Sequence, residues 1–180
     1  VPMTIKDSER NTKRTILRKE GEKNMEIRNA VTGIPTSKGV SKITLNNIKD
    51  KPGIASSIFE PLSSIGINVD VIVQTASSEG TTNLSFTLDD KDLKSCLKEL
   101  IKSNVTNEDN IQTQSSLGKV SIVGTGIQNQ PGYASRMFKA LSDKNINIEM
   151  ITTSEIRITC IIKESDLEKA AKSLHKEFID

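Results

Sequence analysis

The sequence predicts an α+β fold made of two copies of one βαββαβ unit, the first inserted within the second. Three observations carry that expectation. Residues 52–75 recur at 131–154; each copy runs through strand-type and helix-type periodicity in the same order; and the core vocabulary is almost wholly Ile, Leu and Val. Aromatic residues are 3 % of the 180, with no Trp, so thin layers of branched aliphatics must form the interior.

At an offset of 79, ten of those twenty-four positions are identical: Pro52/Pro131, Gly53/Gly132, Ala55/Ala134, Ser56/Ser135, Phe59/Phe138, Leu62/Leu141, Ser63/Ser142, Ile67/Ile146, Asn68/Asn147 and Ile72/Ile151. Val69/Ile148 and Asp70/Glu149 are chemically alike. Further on, Asp92-Leu93 answers Asp166-Leu167 at an offset of 74, so the second copy is five residues shorter, a loss placed around Ser78–Thr82.

Each copy opens with a strand, Lys42–Ile48 in the first and Val120–Gly124 in the second. A Pro-Gly turn leads into a helix whose apolar stripe is Ile54, Ile58, Phe59, Leu62 and Ile65, or Tyr133, Met137, Phe138 and Leu141. Gly66 and Asn145 suit the left-handed residue that ends a helix. Val- and Ile-rich Asn68–Thr75 and Asn147–Thr153 then read as strands, with hairpin returns at Thr82–Leu88 and Arg157–Ile162. The second helices carry Leu93, Leu97, Leu100 and Ile101, and Leu167, Ala171, Leu174 and Phe178.

A ferredoxin-like unit needs one strand more. The first copy has it at about Ile111–Ser115; the second stops at Asp180, just past its helix. The unassigned strand-like segment Ala30–Ile34 is therefore expected to cross over and complete the second unit. The resulting division is 1–24 as a charged, linker-like remnant, 25–39 as the segment that lends a strand, 40–116 as the first unit and 117–180 as the second. Exposed edges of such sheets invite pairing, and a symmetric homodimer through sheets and helices would cover them.

Composition narrows the function. Lys+Arg 25 against Asp+Glu 23 gives +2, no broad field for a phosphate backbone, and stacking platforms for single strands are missing. Nucleic-acid binding is not expected, nor is a membrane span or secretory signal. Cys96 and Cys160 lie in apolar periodic segments, which reads as reduced core thiols in a cytoplasmic protein; with one His, no metal cluster is expected. Gly124-Thr125-Gly126 lacks the third glycine and acidic partner of a dinucleotide loop, and His175 falls on a polar helix side. The start at Val1 rather than Met leads to the expectation of a piece cut from a longer chain.

Residue for residue, the chain resembles the paired ACT domains at the C-terminus of aspartate kinases. The resemblance rests on Asp50-Lys51-Pro52-Gly53-Ile54-Ala55, on Gly118–Gly126 followed by Gln130-Pro131-Gly132, and on the long stretch Ile146–Ile158 with its Thr153-Ser154-Glu155 centre; the departure is Thr159 for a final Ser. It covers about residues 25–180, and Val1-Pro2-Met3 resembles the last strand of the catalytic domain of that family. The resemblance implies a regulatory region without catalytic residues of its own, ATP and Mg²⁺ being handled in a catalytic domain elsewhere in the polypeptide. It further implies a feedback inhibitor, threonine and/or lysine, held between ACT units at a dimer interface, and a place at the first step of lysine, threonine and methionine synthesis.

The residues suit such a ligand. A free amino acid needs partners for carboxylate and ammonium alike. The helix start after Pro52-Gly53 offers backbone N–H groups to a carboxylate, and Asp50 can pair with an ammonium. The expected primary site is Asp50, Lys51, Pro52, Gly53, Ile54 and Ala55, faced by Gln74, Ser77, Asn147 and Ile148. A secondary or pseudo-site would use Asn129, Gln130, Pro131, Gly132 and Ala134 with Thr153, Ser154 and Glu155, the last supplying the anion that Asn129 withholds. Two other readings stay open: a module that only holds an oligomer together, and the ACT pair of a different amino-acid-metabolism enzyme.

Overall fold

The structure, a computed structural model, describes residues 31–76, 80–127 and 131–180 and, within the first thirty residues, two strands. Those are β1 (Met3–Lys6) and β2 (Arg14–Leu17), paired antiparallel with Met3 opposite Leu17. The sequence pattern had indicated no strand at 14–17, where charged residues interrupt the alternation.

From residue 31 the order is β3 (Thr36–Lys49), α1 (Ile54–Ser64), β4 (Val69–Ala76), β5 (Thr81–Asp89), α2 (Leu93–Lys102), β6 (Ile111–Val123), α3 (Tyr133–Ser142), β7 (Met150–Ser154), β8 (Arg157–Lys163) and α4 (Leu167–Phe178). Both units are present, but they do not keep separate four-stranded sheets. One six-stranded antiparallel sheet runs β4-β5-β3-β6-β8-β7, and its two central strands belong to both units. The second half of β3 pairs with β5 and with the start of β6, Leu45 opposite Ile111; its first half pairs with the end of β6, Thr36 opposite Val120.

The crossover expected of Ala30–Ile34 begins within that segment, at Thr32 and Gly33, and runs on beyond it; Ala30 lies outside the described residues. Gly33 bridges Val123, Ser121 N–H bonds Pro35 C=O at 3.0 Å, and β3 then continues without a break into the first unit. The Gly33–Val123 bridge is the repeat image of Thr44–Gln112, so the seam carries a local twofold relation. Gly39 (φ 67°) and Gly118 occupy matching positions beside it.

Packing follows the units. Ile43, Leu45, Leu84 and Phe86 meet Ile58 and Leu62 of α1 and Cys96 and Leu100 of α2. Val120, Ile122, Ile158 and Cys160 meet Met137 and Leu141 of α3 and Ala170, Leu174 and Phe178 of α4. Each fully buried Leu or Ile stabilises by roughly 1.5–3 kcal/mol. Both first helices end as expected. Ile67 N–H bonds Leu62 C=O and Gly66 N–H bonds Ser63 C=O, with the same pair at Ile146/Leu141 and Asn145/Ser142. Gly66 (φ 76°) and Asn145 (φ 51°) supply the left-handed residue of this Schellman ending. Three stripe positions differ from expectation; at Ala171, half-buried outside the cluster, the buried place is taken by Ala170. Ile65 sits at the helix cap and Ile101 falls off the buried stripe, and both are exposed.

A third cluster lies at the seam: Val40, Val71, Leu117 and Ile161 with Met150. Ile161 stands between Cys160 and Ile162, which face the helices, so it points to the other side of the sheet. Polar stitches flank this cluster. Gly39 N–H donates to the Glu164 carboxylate at 2.8 Å, and the Ser41 hydroxyl donates to Asp90. Asp90 and Glu164 open two one-turn helices at matching places in the repeat.

Candidate functional site

Each unit presents one corner of the same construction: a strand end, a Pro-Gly turn and an uncapped helix start. Gly53 (φ 88°) precedes α1 and Gly132 (φ 105°) precedes α3, both left-handed, and neither helix has a side-chain cap. A Cβ at either glycine would have no atom within 4 Å, so backbone conformation and not crowding selects glycine here. Ser57 N–H bonds Gly53 C=O and Arg136 N–H bonds Gly132 C=O, each at 3.0 Å. The N–H groups of Ala55 and Ser56, and of Ala134 and Ser135, are thus first-turn donors lacking an intrahelical acceptor. Such a terminus favours an anion.

The first corner is tight. Asp50 N–H bonds Gly80 C=O at 2.9 Å, which ties the loop to the turn before β5, and Ile54 N–H bonds Lys51 C=O at 3.2 Å. Asp50, Lys51, Pro52 and Gly53 are exposed, Ala55 is half-buried, and Ile54 is buried in the core. Gln74 is exposed on edge strand β4; Ser77 lies outside the described residues. At the second corner β6 leaves the ladder at Val123, where Gly124 N–H bonds Ile156 C=O at 2.9 Å. That bond sets the strand end before the second corner beside the exposed Thr153, Ser154 and Glu155. Pro131 and Gly132 are exposed and Ala134 half-buried; Asn129 and Gln130 lie outside the described residues.

Asn147 and Ile148 do not join the Asp50 corner within one chain. They enter β7 next to Glu149, which reaches Lys42 of β3, and eight residues of strand, about 25 Å, separate Lys42 from Asp50. A cavity of about 480 Å³ adjoins the first corner, between the end of β3, α1 and the 104–110 connection. It is lined by Lys51 and Ile54 but by no other predicted site residue, its remaining polar lining being mainly Asn47, Asn104, Thr106 and Asn107. A larger cavity, about 810 Å³, lies at the seam among Lys38, Asp90, Ser115, Ser116 and Glu164, away from both corners.

The sequence reading missed two ion pairs. Asp70 pairs with Lys119, and Glu149 pairs with Lys42 at 3.7 Å, each joining one unit to the central strand of the other. Asp70 and Glu149 stand at matching positions of the repeat, the signal that could have exposed them. The Lys119 hydrogen bond above all holds the Asp70 carboxyl below its ordinary 3.8, with Val71 N–H and Arg157 adding to it. Gln114 of β6 above all, then Asn147 and the charge of Lys42, hold the Glu149 carboxyl below its ordinary 4.5. Burial pushes the Cys96 and Cys160 thiols up to about 12, as expected of core residues. Among the described residues no group of three or more His, Cys, Asp or Glu is placed to hold a metal ion, and no helix is long and apolar enough to cross a membrane.

Comparison with known proteins gives one consistent result. The ACT domain family matches residues 43–103 and 120–178. An aspartokinase of Corynebacterium glutamicum is 39 % identical over 182 residues, covering 99 % of this chain, and the chain spans 43 % of that relative's length. The ligand-free regulatory subunit of aspartate kinase from Thermus thermophilus superposes with a TM-score of 0.75 at 34 % identity, covering 83 % of this chain and 99 % of that one. A chain from a structure of aspartokinase alpha and beta subunits gives 0.73 at 36 % identity, with 82 % and 98 % covered.

Proposed function

Because the chain belongs to the ACT domain family, as the regulatory part of an aspartokinase, we propose that it senses threonine and/or lysine and relays feedback inhibition to aspartate phosphorylation. The observation that carries this reading is the pair of open, uncapped helix starts at Gly53 and Gly132, one of them flanked by the exposed carboxylate of Asp50. The N-terminus of α1 takes the effector's carboxylate and Asp50 takes its ammonium. The second wall comes from Gln74 and Ser77 and from Asn147 and Ile148 of a facing unit. The corner at Asn129–Ala134 with Thr153, Ser154 and Glu155 is the secondary site.

A second copy of the chain provides that facing unit. Ile72 and Ile151, 49 % and 42 % exposed, stand at matching repeat positions on β4 and β7, the two edges of the sheet. Pairing of edges covers them and brings the first unit of one chain to the second unit of the other. The parent polypeptide would be the ATP-dependent kinase acting on the aspartate side-chain carboxylate in the cytoplasm, its catalytic part using ATP and Mg²⁺. This chain by itself would have no kinase activity.

Calorimetry with L-threonine and L-lysine tests the reading. Binding of either, weakened at least tenfold by Asp50→Ala, supports it. A dimer that takes up neither amino acid favours the purely structural module instead.

A further inference from the structure

Glu149 sends its two carboxylate oxygens in different directions. Oε1 accepts a hydrogen bond from the Asn147 amide at 3.2 Å, and Oε2 lies 3.7 Å from the Lys42 ammonium. Gln114 of β6 also favours the charged form of this carboxylate. Side-chain exposures of 18 % for Glu149 and 19 % for Lys42 make this a partly desolvated pair, in contrast to the outward ion pairs on the helices. Lys42 stands on β3, which runs on to Lys49 and delivers the Asp50 corner.

We infer that Glu149 is a positioning residue that couples the Asn147 wall in the second unit to the strand carrying the Asp50 corner in the first. The inference rests on the sensor reading above. In a dimer joined edge to edge, each chain gives its Asp50 corner to one effector and its Asn147 wall to the other. Fixing the Asn147 amide on one ligand therefore fixes Glu149, Lys42 and β3, and so steadies the corner that meets the second ligand. Hydrogen-bonded side chains and a paired strand are the physical elements by which such coupling travels, and couplings of this kind change affinity by about 5- to 150-fold. The two effector sites of a dimer should fill cooperatively.

The variants separate the two arms of the relay. Glu149→Gln keeps an oxygen for Asn147 but loses the charge that holds Lys42, and Lys42→Met removes the same tie from the other side. Both should bind the amino acid within about twofold of wild type, with the Hill slope reduced from above one to one. Glu149→Ala loses both arms and should bind about five- to tenfold more weakly, again with a slope of one. In an Asn147→Ala background, Glu149→Ala should cost no further affinity, since it acts through that amide.

The measurement is a calorimetric titration of the 180-residue chain with L-threonine and L-lysine, with a thermal melt of each variant to confirm folding. A wild-type slope of one, or Glu149→Gln and Lys42→Met retaining the wild-type slope, overturns the relay while leaving the sensor reading intact. Absence of binding by the wild type overturns the sensor reading, and the relay with it. Should Glu149→Ala fail to fold, Glu149→Gln and Lys42→Met decide the question by themselves.

Discussion

Asp70 of β4 pairs with Lys119 of β6, although two strands lie between β4 and β6 in the sheet. The Glu149–Lys42 pair makes the mirror crossing, from the start of β7 to β3. Both contacts require the sheet to curl until its outer strands fold back over the central two. The bulge between Asp70 and Val73, where Val71 takes φ 33°, bends β4 at this place.

These two carboxylates make stability pH-dependent in a defined window. Each titrates lower in the folded chain than in the unfolded one, so its contribution is complete above the ordinary carboxylate range and disappears as pH falls through the depressed folded value. The melting temperature should fall on acidification below about pH 4.5. Asp70→Asn should flatten part of that fall and cost no more than about 1 kcal/mol at neutral pH, since Asp70 is half exposed and solvent screens it. Scanning calorimetry from pH 7 to pH 3 makes the comparison.

Gly53→Ala should destabilise through backbone strain alone. The left-handed φ of 88° costs an L-residue about 1–2 kcal/mol, and no neighbour stands within 4 Å of the new methyl. Gly132→Ala should cost the same within error, and Gly53→Asn less, because Asn tolerates that geometry. Urea midpoints check all three.

Gly118→Ala should be worse for a different reason. Its Cβ would lie 2.2 Å from Leu167 Cδ1 and 2.5 Å from Cγ, and Leu167 is 3 % exposed with little room to yield. The expected loss is about 1–3 kcal/mol. Adding Leu167→Ala should cost less than Leu167→Ala does in the wild type, and a double-mutant cycle by urea unfolding reads that coupling.

Cys96 and Cys160 are both buried, with thiols raised to about 12 by desolvation. A thiol reagent at pH 8 should label neither in the native chain and both in 6 M guanidinium, with native labelling no faster than global opening. Mass spectrometry of a timed labelling series follows this directly.

The 79-residue offset made much of the fold legible, because both copies keep the same helix start, the same left-handed ending at Gly66 or Asn145 and the same apolar positions. The crossing strand could be found by counting strands, yet its extent could not. Ser37–Ser41 and Ser115–Lys119 are polar or glycine-bearing, so the apolar alternation fades where β3 and β6 pass from one unit into the other. The left-handed glycine before each first helix was legible from Pro52-Gly53 and Pro131-Gly132, whose glycines the structure places at φ 88° and φ 105°. The grip of Glu149 on Asn147 and Lys42 was not, since it depends on the curl of six strands, a property no local pattern records.

The sharing of β3 and β6 between units also fixes an order of assembly. The residues that close the second unit, Gly33 to Ser37, are synthesised before any of the first unit and wait for a partner strand more than seventy residues downstream. All strands of the first unit are present once Ile111–Gln114 has emerged, whereas the second also needs β7 and β8, which come later in the chain. Pairings over such separations are slow to form, so a chain stalled between the two stages would display an unpaired length of β6. Nor can either copy be excised by a single cut. What began as two equal repeats now folds as host and guest, and neither is a separable module.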